Sequence, residues 1–347
     1  VYPLTKEKSL KMFDRDSAFS MEIRDPDDPD DKSPIVEMIT IGNEMLVFKE
    51  TSIHRGLTAD TIDPGRSDHS TRNSSEMLYS AGASNSFVAR MILQFKKMIG
   101  LAISQTAREN ELIQHVWEAN KLLLECENAF YHIYKHTMDL MPKCDEIVEA
   151  NKNKSAIPAM PKVPDLETHV SDFLINGKKF LVAAYRLLEL FCQMPMDGRN
   201  EAHFNAHRLW IEEKLGKEHP IYKTLESAEP WVRLIAECSN AVRHKETGLK
   251  LEVQNFSLNP GNKISSPGWR YDLTKKGLGR QDDYTDLIGD LDVRIYNMLT
   301  FFEEVLLLCL QGELKDATLM IFRIPNEKIN PKCPIAYEVN LRSSASP

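Results

Sequence analysis

Between residues 112 and 141 the apolar positions keep one rhythm. Leu112, Val116, Ala119, Leu123, Cys126, Phe130, Ile133, Thr137 and Met141 follow one another in steps of four and three. That spacing returns side chains to one face of an α-helix, so it predicts a single long helix with a mostly apolar heptad seam. Pro142 predicts its end, because the ring removes a backbone donor. A seam of this length needs a cover. The seam predicts a dimer or a higher assembly, a homo-oligomer joined through helices; the alternative is a cover within the chain, with the helix expected at 166–193 the obvious candidate.

The same reading divides the rest of the chain. "PIVEMITIGNEMLVFKE" (34–50) predicts two short strands around the hairpin-type turn Gly42-Asn43. Residues 54–84 are polar and turn-rich, and Ser84-Asn85 suits the cap of a helix running from Phe87 to about Ile103. "NKNKSAIPAMPKVPD" (151–165) reads as a linker. Helices are expected at 166–193, at 201–216, from about Pro230-Trp231, where proline suits a first turn, and at 283–312. "LKLEVQNFSL" (249–258) alternates like a strand, with "WRYDLT" (269–274) returning against it. The strand candidates "TLMIFRI" (318–324) and "IAYEVNL" (335–341) are expected to pair with the N-terminal hairpin, since isolated two-stranded units are marginal in water.

Composition narrows the function classes. With 42% hydrophobic and 27% charged residues, the 347-residue chain has the means to build a sizeable core. A net charge of −8 argues against a general phosphate-backbone binder, which needs a basic field. The six cysteines are scattered without a CxxC pair, which suits a reducing cytoplasm better than a disulfide framework. No apolar run reaches the ~18 residues of a membrane span, so no membrane partner is expected. The acidic stretch 14–34 reads as a solvated loop, because Pro26 and Pro29 break the ligand spacing of a calcium loop.

Candidate chemistry gathers at "AECSNAVRHKETG" (236–248). On a helix, Arg233, Glu237, Asn240 and His244 share one face at steps of four, three and four. A histidine acid/base near a cation that holds phosphate charge is a minimal kit for metal-free RNA cleavage. The plain alternative is a polar helix face whose His244 sits at the C-terminal end, where the dipole favours a cation. The pairs His132/His136 and His203/His207 each put two imidazoles one turn apart, a spacing that can bind zinc, yet neither encloses the Glu of HExxH and each lacks a third ligand. A third ligand would have to come from elsewhere, such as His219 or Glu201, and His203/His207 is the metal candidate. The chain contains no GxxxxGK[ST] loop and no GxGxxG, so no cofactor is expected.

"PWVRLIAECSNAVRHKETGLKLEVQNFSL" followed by "SSPGWRYDL" resembles the last core helix and following segment of HEPN-like (higher eukaryotes and prokaryotes nucleotide-binding) helical domains. The resemblance covers residues 166–312. It matches the family's Asn and His to Asn240 and His244, and places Ser239 where the family has Arg. It implies a helical bundle that pairs through its helices, with RNA or a protein as partner. In the active form, His244 would be the catalytic group, Asn240 its orienter and Arg243 the phosphate clamp. Arg243 points about 100° around the helix from His244, and Arg233 lies three turns away, about 16 Å along the axis. The expectation is therefore a non-catalytic HEPN-like interaction protein, in a prokaryotic defence or stress setting by resemblance alone. A metal-independent ribonuclease and a His203/His207 metal protein are the alternatives.

The fold expected is mainly α, α+β overall. Residues 1–103 form an N-terminal segment, 104–150 the heptad helix, 151–165 a linker, 166–312 the HEPN-like helical domain and 313–347 a strand pair.

Overall fold

A computed structural model describes residues 23, 32–194, 204–244, 248–314 and 318–341. The protein is α+β, with helices dominating and four small antiparallel sheets. It divides into two compact units, residues 1–89 with 325–335, and residues 90–324 with 336–347. Most of the acidic stretch 14–34 lies outside the described residues.

In the first unit, β1 (Ile35–Ile41), β2 (Glu44–Lys49), β3 (Ile53–Leu57) and β4 (Ser74–Tyr79) form an antiparallel meander in chain order. The expected hairpin is there, with Ile41 opposite Glu44 across a turn whose Gly42 has φ +60°. Ile39, Ile41, Leu46, Val47, Phe48 and Ile53 are buried. The polar reading of 54–84 missed β3 and β4, and between them the short α1 (Ala59–Ile62). His54 on β3 is fully buried and hydrogen-bonded to the Ser52 hydroxyl at 2.9 Å. At Gly82 a Cβ would lie 2.3 Å from the Ser52 nitrogen and 2.4 Å from the Lys49 oxygen, so only glycine lets the chain pass this close. Asn85 caps the helix start α2 (Ser86–Val88) by accepting from Phe87 N–H at 2.8 Å.

The chain then winds through a π-type turn, Ala89–Leu93, into α3 (Gln94–Ala102). The heptad helix α4 spans Thr106–Asn151 and continues past Pro142 instead of ending there. Its flanking turns explain this: Thr137 and Cys144 are buried on either side of an exposed proline, so packing offsets the missing bond. The seam is covered within the chain by α5 (Leu166–Cys192), the alternative to a second copy, so the seam itself no longer calls for a dimer. His132 meets His169, Cys126 meets the Phe173 carbonyl and His115 meets the Ala183 carbonyl, an order that makes the two helices antiparallel. The linker residue Val163 is pinned by a two-way bond with the Asn255 side chain, at 2.9 and 3.1 Å.

Around this pair pack α6 (Phe204–Leu215), α7 (Pro220–Arg243) and α8 (Leu287–Glu313). Helix α7 starts ten residues earlier than expected. Pro220 holds the first-turn position with His219 as cap, and Pro230 lies inside, its neighbours Ala228 and Val232 buried. Strand β5 (Lys250–Gln254) pairs with β8 (Gly268–Asp272) as expected, and β9 (Thr285–Asp286) adds an edge; β6 (Ser257–Asn259) and β7 (Lys263–Ser265) form a small hairpin. Buried Trp269 on β8 ties this sheet to α8 by donating to Asp290 at 2.7 Å.

The C-terminal strands β10 (Leu319–Arg323) and β11 (Tyr337–Leu341) form, but the expected pairing with the N-terminal hairpin does not. They pair with each other, and helical side chains hold them. Gln94 Oε1 accepts from Ala336 and Tyr337 N–H at 2.7 and 2.8 Å, and Gln311 Oε1 from Ile321 N–H at 3.1 Å. The Gln94 amide also donates to buried Glu303 at 2.9 Å, where Arg90 completes the ion pair.

Candidate functional site

The candidate site is the C-terminal half of α7. One face carries Val232, Ile235, Ala236, Cys238 and Ser239, all buried. The other carries Arg233, Glu237 and Asn240 in a ladder of bonds. Arg233 donates to the Lys276 carbonyl at 3.0 Å, and the Lys276 ammonium stands 4.0 Å from Glu237. Glu237 accepts from the Asn240 amide at 2.9 Å, and Asn240 Oδ1 accepts from Lys178 on α5 at 2.9 Å. Asn240 is thereby used on both its donor and its acceptor side.

Local sequence explains how Lys178 arrives there. Its neighbour Gly177 lets α5 approach α7 and α8 closely, since a Cβ would lie 3.3 Å from Met298 Sδ and 3.5 Å from Ile235 Cγ2. Sequence reading missed Lys178 and Lys276. A glycine between Asn176 and Lys178 in an otherwise helical run was the available signal, because a helical position with no side chain lets a neighbouring helix approach closely.

Helix α7 ends at Arg243, with His244 as the C-cap residue. The bond between the two motif positions is a backbone one, from His244 N–H to the Asn240 carbonyl at 2.8 Å. Arg243 and His244 are both exposed. Ser239, where the resemblance expects arginine, is fully buried, and its hydroxyl has no hydrogen-bond partner. Burial also pushes the adjacent Cys238 thiol up to about 12, a sign of how apolar that side of the helix is.

Of the other histidines, His203 lies outside the described residues. His207 is mostly buried against α5, its Nε2 2.8 Å from Glu189 Oε1 and its ring edge-on to Tyr185. That makes it a joint between α5 and α6. Among the described residues, no group of three or more His, Cys, Asp or Glu side chains could hold a metal ion. All six cysteines are free thiols. No described helix is long and apolar enough to cross a membrane.

Compared with family models, with curated proteins and with solved structures, the chain matches none.

Proposed function

We propose that the chain is a non-catalytic helical interaction protein of HEPN-like fold, working in the cytoplasm. The observation that carries this reading is the state of the motif. Asn240 is spent on Lys178 and Glu237, and the residue before it faces the core. An orienting amide already committed to a salt-linked ladder is a structural device, and no arginine can reach His244 from a buried position 239. The outer face of α4 supports the interaction role, since Tyr131, Tyr134 and Met138 are exposed at steps of three and four. A second copy of the chain is the partner proposed for that face.

The exposed neighbours Arg243 and His244 favour the ribonuclease as second reading. One pair of measurements separates the two. Wild-type protein incubated with mixed RNA is expected to leave it intact, and light scattering to show association that Tyr131→Glu with Met138→Glu abolishes. RNA cleavage lost in His244→Ala, with thermal stability kept, would replace the interaction reading by the ribonuclease.

A further inference from the structure

Two thiols meet where α5 and α8 finish together. The helices run side by side in the same direction: Gly177 faces Met298, and the Tyr185 ring lies 5.7 Å from that of Phe301. Cys192 comes seven residues after Tyr185 and Cys309 eight after Phe301, so nearly equal rises along the two helices bring them level. Arg108 of α4 fixes the same level from outside. Its guanidinium stands 5.9 Å from the centre of the Phe191 ring, next to Cys192 in the chain. It also donates to Glu313, one turn beyond Cys309, at 3.3 and 2.5 Å. Between these two points the Cys309 thiol donates a hydrogen bond to the Cys192 sulfur. Cys192 is half-buried and Cys309 buried.

We propose that Cys192 and Cys309 are a site of oxidation by hydroperoxides, where Cys192 takes the oxidant and Cys309 closes a reversible disulfide between α5 and α8. The Cys192 thiolate attacks one peroxide oxygen and the O–O bond breaks. Cys192 becomes a sulfenic acid, and the departing oxygen takes up the thiol's proton and leaves as water or an alcohol. The Cys309 sulfur then attacks the Cys192 sulfur, the S–O bond breaks, and the hydroxyl leaves as water with the Cys309 proton. The two thiols give two electrons to the peroxide, and no further reactant is needed. The bond between the thiols sets the order of attack. By donating to Cys192, Cys309 holds that thiol below its ordinary range, against burial and Glu313, while its own thiol stays well above. Position helps as well. Cys192 is the last residue of α5, followed by Gln193 at φ +52°, so drawing the sulfurs to bonding distance unwinds no inner turn. The other four thiols are buried, and burial pushes those of Cys126, Cys144 and Cys238 up, which keeps them unreactive.

The test treats the reduced full chain, freed of reductant, with a small excess of hydrogen peroxide, stopped by catalase. Remaining thiols are alkylated under denaturing conditions and the peptides mapped by mass spectrometry. The expected result is loss of two of the six thiols, a mass lower by two hydrogens, and one cross-linked peptide pair, Cys192 with Cys309, which dithiothreitol reverses. Cys309→Ser is expected to leave Cys192 as a sulfenic acid that dimedone traps, and Cys192→Ser to leave Cys309 reduced. Thermal midpoints check that both variants stay folded; the cross-link is read on the wild-type chain and stands apart from them. A cross-link between other cysteines, thiol loss spread over all six, Cys192 oxidised while Cys309 stays alkylatable, or no thiol loss at all would each overturn the pair.

Discussion

At the scale of the residue, position 239 decides most. Read on a helical wheel, Ser239→Arg looks like a one-step repair of the motif. The wheel does not say which arc faces the core; packing of α7 on α5 and α8 does, and it buries Ser239 completely. The guanidinium would have to displace close-packed neighbours in a region apolar enough to push the Cys238 thiol up to about 12. Burying an unpaired charge and overpacking a core are both among the costliest single changes, so about 3–5 kcal/mol of stability is the expected loss. Denaturant unfolding of Ser239→Arg beside Ser239→Ala measures it. The alanine change should be close to neutral, because it removes a hydroxyl that already lacks a partner. An arginine variant as stable as wild type would mean that this face opens readily, and would weaken the interaction reading with it.

At the scale of the element, the helices and strands with strong periodicity were legible, and the ends marked by proline were not. The bounds of α5 follow from its apolar spacing, and β5, β8, β10 and β11 follow from alternation. Pro142 and Pro230 misled in opposite ways, one read as a stop and the other as a start. Local chemistry supports both readings; tertiary packing overrides them, since each exposed proline is braced by buried residues on both sides. Strand β3 buries the polar His54 beside Ile53, and β4 opens on Ser74-Ser75-Glu76, so neither shows a clear apolar alternation. Pairings such as Arg55 with Glu44 and Glu76, at 2.7 and 2.6 Å, are invisible in one dimension. The prolines make a prediction of their own. A proline inside a helix costs ~3 kcal/mol, part of which the stiffer unfolded chain returns. Pro142→Ala and Pro230→Ala should each raise stability by about 1–2 kcal/mol, read as a higher thermal midpoint. A fall in midpoint for both would mean that the bend at each ring is required by the packing around it.

At the scale of the whole molecule, the histidines that join α4 to α5 set how stability depends on pH. His115 is held at the interface by the Ala183 carbonyl, 2.7 Å away, and burial, aided by Arg186, keeps its folded pKa below the ordinary 6.5. His132 is lowered too, by desolvation first and then by His169, His136 and Lys135. A histidine whose folded pKa is depressed binds fewer protons when folded than when unfolded. Its contribution is therefore complete above the unfolded value of 6.5 and is lost as pH falls from there through the folded value. The carboxylates whose folded pKa is lowered, Asp68, Glu218, Glu252 and Asp272, act in a separate window, below their ordinary values of 3.8 to 4.5. Between pH 6.5 and 5 the slope thus belongs to histidines. Thermal midpoints should be flat from pH 8 to 6.5 and fall steadily to pH 5. His115→Gln should lower the midpoint at pH 7.5 and reduce the fall below pH 6.5. His132→Asn should reduce the same slope while leaving the pH 7.5 value near wild type, because that ring is exposed. A midpoint unchanged from pH 7.5 to 5 would mean that the α4–α5 interface tolerates charged imidazoles, and that its histidines are not the joint described here.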